Sequence, residues 1–127
     1  MPSDVLVLLV EDEPLIRQNL AEELAEAGFE VVEAKDGEGA LAELEADALR
    51  FRALLTDIRV GKGQEGWDIA RHARELVPNL PVVYISGDSA HEWHSRGVPG
   101  SVMVAKPFVG AQIITALATL LNQGSAA

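Results

Sequence analysis

With 127 residues, 48% of them apolar, the chain is long enough to bury one sizeable core but not two. The absence of cysteine excludes disulfides and thiol chemistry, and a formal net charge of −10 with only three lysines argues against nucleic-acid binding by the chain itself. No apolar run approaches the roughly 20 residues that span a bilayer, and MPSDVLVLLVEDE at the start lacks the basic flank of a signal peptide, so no membrane association and a cytoplasmic location are expected.

The apolar pattern alternates between two periods. VLVLLV (5–10) is a continuous apolar run, the mark of a strand buried on both faces. Pro14 takes a first helical position, Ile16, Leu20, Leu24 and Ala27 follow at helical spacing, and Gly28 stops the helix. FEVVEA (29–34) is a second strand, and beyond DGEG (36–39) the residues Ala40, Leu41, Leu44, Ala48 and Leu49 mark a second helix. RALLTD (52–57) is a third strand, opening into the Gly-rich stretch IRVGKGQEG (58–66). Ile69, Ala70, Ala73, Leu76 and Val77 form a third helix that Pro78 stops, and PVVYISG (81–87) is a fourth strand. DSAHEWHSRG (88–97) holds a short helix ending at Gly97, and SVMVAKP (101–107) is a fifth strand. Val109, Ile113, Leu117, Leu120 and Leu121 line a last helix, with GSAA as a tail.

Strands alternating with helices imply right-handed crossovers and a parallel sheet covered on both faces, in five βα units. All C-terminal strand ends then share one edge, where open α/β sheets bind ligands. At that edge stand Glu11, Asp12 and Glu13 after strand 1, Asp57 at the end of strand 3, Ser86 and Asp88 after strand 4, and Lys106 before Pro107. Glu13 fits the N-terminus of the first helix better than a site role. Glu11, Asp12 and Asp57 would repel one another as carboxylates, and a hard divalent cation such as Mg²⁺ resolves that. With Ser86 as a hydroxyl donor and Lys106 as a compact cation, the set suits phosphoryl transfer onto Asp57, a carboxylate nucleophile.

VLLVEDEP, LLTD, VVYISG and VAKPF together resemble the receiver domain of two-component response regulators (CheY-like), over about residues 4–122 of a single domain spanning 1–127. The resemblance implies a flavodoxin-like (βα)5 fold with strand order 2-1-3-4-5. It implies that Asp57 accepts a phosphoryl group from a histidine kinase or histidine phosphotransfer protein, and that Glu11, Asp12 and Asp57, with the carbonyl of Arg59, hold Mg²⁺. Ser86 and Lys106 would contact the phosphoryl oxygens, and the Lys106–Pro107 bond would be cis. Such a chain is a phosphoacceptor and not an enzyme with a turnover substrate. It is either a single-domain regulator acting on a downstream protein partner, with no DNA-binding output, or a receiver from a longer hybrid protein.

The chain also departs from the family pattern. After the acceptor the family usually has Pro at the fourth position and Gly at the eighth; here these are Gly61 and Glu65, and the matching glycine is Gly66. The loop is thus one residue longer and is expected to be more mobile. Met103 stands where the family has a switching aromatic, paired in that role with Ser86. Arg59 and Asp88, each two residues beyond a site residue, are expected to meet across the mouth of the site. Charge is uneven too: residues 1–50 hold 14 acids and 3 bases, and no charged residue follows Lys106. The acidic half suits solvated helix faces. The uncharged last helix suits either a plain Ala/Thr surface or a homodimer or partner face built from helix 4, strand 5 and helix 5, which Trp93 would join. His72, His91 and His94 are surface residues without metal-ligand company. A haloacid-dehalogenase-like phosphohydrolase is the alternative, since it too uses an Asp nucleophile with Mg²⁺. That family, however, places its nucleophile after strand 1.

Overall fold

A computed structural model describes the backbone of residues 5–126 and the side chains of residues 5–123. Five strands alternate with five helices: β1 (Leu6–Val10), α1 (Pro14–Glu26), β2 (Glu30–Ala34), α2 (Gly37–Asp47), β3 (Ala53–Asp57), α3 (Gly66–Leu76), β4 (Val82–Ser86), α4 (Trp93–Arg96), β5 (Val102–Ala105) and α5 (Gly110–Ala126). The strands form one parallel sheet in the order β2-β1-β3-β4-β5. This is the flavodoxin-type α/β fold.

Alternation along the strands explains the three layers. Val7, Leu9, Ala53, Leu55, Val83 and Ile85 face α1 and α5, meeting Leu20, Leu24, Ile113, Leu117 and Leu120. Leu8, Val10, Leu54, Val82 and Tyr84 face the other way, toward Leu44 of α2 and Ile69, Ala70 and Ala73 of α3. Helix ends follow their local chemistry. Glu13 caps α1, its side chain accepting the Leu15 N–H at 3.3 Å, while Gly28 takes φ 99° just past the helix end.

Four details differ from the periodicity. The second helix stops at Asp47 and a 3-10 turn, Ala48–Arg50, redirects the chain. Leu49 is therefore 77% exposed, and Phe51 fills the core in its place. Val109 is exposed because it precedes α5, where its N–H donates to the Gln112 side chain. The expected GSAA tail continues α5 through Ala126, while Ala127 lies outside the described residues. The largest buried side chain, Trp67, was not singled out by periodicity because it sits on the first turn of α3 beside a loop; its ring packs on Tyr84 with centroids 4.8 Å apart.

Candidate functional site

Strand register assembles the site. Val10 pairs with Thr56, so the next residues, Glu11 and Asp57, end the two central strands side by side. Asp57 pairs with Ile85, and Ser86 follows; Ser86 pairs with Ala105, and Lys106 follows. The order of connection reverses between β1 and β3, and the crevice at that switch point is where these four ends converge.

Asp57 is buried, and Lys106 reaches it from β5 with Nζ 2.6 Å from Oδ2. The other carboxylate oxygen accepts the Arg59 N–H at 3.3 Å. The Lys106–Pro107 bond is cis, and the Lys106 N–H donates to the Ser86 carbonyl at 2.9 Å, which sets the two side by side. Burial alone would lower the Lys106 pKa; the hydrogen bond and charge of Asp57, aided by Glu11 and Asp12, outweigh it and hold the ammonium above its ordinary value.

Glu11 is 1% exposed, with Oε2 accepting the Glu13 N–H at 3.0 Å. Its Oε1 is buried without a hydrogen-bond partner; the nearest cation, Lys106 Nζ, is 3.9 Å away. Desolvation pushes the Glu11 carboxyl up to about 7, helped by the neighbouring Asp57 charge and resisted by the Glu13 N–H and by Lys106. Arg17, which sequence reasoning missed, donates to the Glu11 carbonyl at 2.8 Å and pairs with Glu33 at 3.3 Å. Its signal was a lone arginine on the first turn of the helix that follows the acidic strand end.

Ser86 is buried, and its Oγ accepts the N–H groups of Ser89 at 2.7 Å and Asp88 at 3.3 Å. Arg59 and Asp88 do meet, Nε to Oδ2 at 3.2 Å. Both line a cleft of about 400 Å³ together with Glu11, Asp12, Asp57 and Lys106. Asp12 is exposed on that cleft, while Met103 lies apart from it, half-buried on β5 opposite Tyr84.

The orphaned, buried Glu11 oxygen and the exposed Asp12 beside it fit a hard cation, a group of oxygen donors awaiting positive charge. With the Lys106 ammonium on Asp57, no three His, Asp or Glu side chains among the described residues converge closely enough to ligate one ion.

Residues 7–118 match the response regulator receiver domain family. The chain belongs to that family. A response regulator receiver protein from Sinorhizobium medicae WSM419 superposes on this receiver with a TM-score of 0.89 at 44% identity, over 93% of this chain and 94% of that one. The response regulator receiver protein CpdR of Brucella abortus is 36% identical over 84 residues, 66% of this chain and 68% of that protein. The sensor histidine kinase RcsC of Salmonella typhimurium is 30% identical over 93 residues, so the match takes in 73% of this receiver but only 10% of the kinase. A receiver is a phosphoacceptor module of two-component signalling and not a catalytic enzyme with its own substrate, which sets aside the phosphohydrolase alternative.

Proposed function

We propose that Asp57 is the phosphoryl acceptor of a two-component phosphorelay. The observation that carries this reading is the 2.6 Å contact between Lys106 Nζ and Asp57 Oδ2, in a cleft where four strand ends meet. An Asp57 carboxylate oxygen attacks the phosphorus of a phosphohistidine on a histidine kinase or phosphotransfer protein. The O–P bond forms as the P–N bond breaks, and the electron pair leaves with the imidazole nitrogen, which takes up a proton.

Lys106 then neutralises phosphoryl oxygens, and Ser86 turns its hydroxyl toward them as its own acceptor role toward Ser89 weakens. Glu11, Asp12, Asp57 and the Arg59 carbonyl would hold Mg²⁺, whose charge offsets that of the carboxylates and the incoming phosphoryl group. The added charge biases Ser86 and Met103, and with them the surface of α4, β5 and α5, between two arrangements.

A downstream protein partner or a second copy of the receiver is the reader of that surface, without direct DNA binding by this chain and without a membrane. No helix among the described residues is long and apolar enough to cross one, and a cytoplasmic site of action follows from the kinase partner. The reading takes residues 1–127 as one receiver domain, either acting alone or forming part of a longer hybrid protein.

The test is Mg²⁺-dependent labelling by a small acyl phosphate. Wild type should take up one phosphoryl group and Asp57→Asn none. Equal labelling of both would overturn the assignment.

A further inference from the structure

A helix leaves its first N–H groups without partners inside the helix, so something outside must accept them. At α2 the Asp36 carboxylate takes only the Gly39 N–H, at 2.8 Å. The N–H groups of Gly37 and Glu38 both donate to the carbonyl of Lys62, at 2.8 and 3.3 Å. Lys62 lies on the loop between β3 and α3, five residues beyond Asp57. The acceptor loop therefore shares the capping of α2 with Asp36.

The docking is backbone against backbone. A Cβ added to Gly37 would lie 2.3 Å from the Gln64 carbonyl oxygen, and one added to Gly63 would lie 2.8 Å from the Glu38 nitrogen. Gly63 has φ 90°, a conformation that L side chains rarely adopt. At its other end the same loop is tied to the acceptor. The Arg59 N–H donates to Asp57 Oδ1 at 3.3 Å, and the Gly66 N–H donates to the Ile58 carbonyl at 2.8 Å. Between the two ends, a Cβ built on Gly61 would sit 3.7 Å from Asp12 Oδ2 and 3.8 Å from Asp36 Cβ. The loop is thus pinned at both ends, to Asp57 at one and to the α2 backbone at the other, and between them it passes the side chains of Asp12 and Asp36 at ordinary contact distance.

We infer that this loop carries the loading state of Asp57 to the N-terminus of α2, so that α2 responds to phosphorylation in addition to the β4–β5 side of the sheet. The inference rests on the proposed acceptor role of Asp57. A phosphoryl group there replaces the single carboxylate charge with roughly 1.5 to 2 negative charges and takes up one oxygen of the carboxylate that now accepts the Arg59 N–H. Any re-pairing of that N–H moves the start of the loop. Lys62 is three residues further along the loop, and its carbonyl position governs two hydrogen bonds of α2. Coupling between two sites is reciprocal, so the cap of α2 also biases loading at Asp57.

Backbone amide exchange, with and without Mg²⁺ and beryllofluoride as phosphoryl mimic, tests this. Loading is followed separately by the ¹⁹F signal of bound beryllofluoride. On loading, the exchange rates of the Gly37 and Glu38 amides should change by roughly fivefold or more. In Gly63→Ala, where the loop cannot dock as it does, loading should persist while the α2 response is lost. Should that variant fail to fold, Glu38→Pro serves, because proline is tolerated in a first helical turn and removes one of the two N–H groups. A loaded wild type with unchanged Gly37 and Glu38 amides would overturn the inference while leaving the acceptor assignment standing, and so would a full α2 response in a folded variant. A wild type that binds no beryllofluoride would overturn both.

Discussion

Glu11 carries the largest electrostatic cost at the site. Its folded pKa of about 7 stands above the ordinary 4.5, so the folded state holds this proton more tightly than the unfolded chain does. Metal-free stability from this group is therefore full below pH 4.5 and declines as pH rises toward 7. The loss at higher pH is up to about 3 kcal/mol. Glu11→Gln keeps an acceptor for the Glu13 N–H and removes the charge. In urea titrations with chelator present, Glu11→Gln should match wild type near pH 4.5 and exceed it at pH 8; a difference independent of pH would refute the assigned cause. Mg²⁺ should raise the wild-type midpoint at pH 8 and leave that of Glu11→Gln less affected. The Arg59–Asp88 pair is a weaker feature. Both side chains are largely exposed, so its contribution to stability is small and its place at the mouth of the cleft is the point of interest.

Among the elements, the loop from Arg59 to Glu65 departs most from the family pattern, and its glycines, with Gly66 after them, lie between the site and α2. Gly66 makes the tightest approach to the site, since a Cβ there would sit 2.3 Å from the Asp57 carbonyl oxygen. Gly66→Ala must push β3 and α3 apart. It should lower unfolding stability by about 2 kcal/mol, read from a shifted urea midpoint at unchanged slope. Loss of stability without loss of labelling is not expected, because the displaced backbone is that of Asp57, the proposed acceptor. The single-turn α4 is held by side chains in place of helix length. Trp93 Nε1 donates to Ser101 Oγ at 2.9 Å, and the Val98 N–H donates to the Tyr84 hydroxyl at 3.0 Å. Trp93 is thus a half-buried anchor of the core edge, which accounts for an aromatic on a helix with so little apolar surface.

At the level of the whole molecule, charge is unevenly distributed along the chain. Residues 1–50 hold 14 of the 20 acids, whereas α5 presents Ala111, Gln112, Thr115 and Thr119 to solvent and no charge at all. Burying such a face desolvates no ions, which suits the proposed contact with a second copy. Sedimentation with Mg²⁺ and beryllofluoride should show a shift toward dimer, and Thr115→Glu should abolish it. An unchanged monomer mass on loading would leave α5 as an ordinary solvated surface.

The strands, their parallel arrangement and the placement of Glu11, Asp12, Asp57, Ser86 and Lys106 at the strand ends were legible in the sequence. Continuous apolar runs, Gly and Pro punctuation, and polar residues gathered at strand ends are local signals with a direct physical cause. The cis Lys106–Pro107 bond and the strand order were legible only through the family resemblance. Other features were decided by tertiary contact: the burial of Trp67, the exposure of Leu49 and the orphaned oxygen of Glu11. So were Arg17 behind the acidic strand end and the Lys62 carbonyl capping a helix 25 residues earlier in the chain. Each depends on what another segment brings within a few ångströms, and periodicity within one segment carries no information about that distance.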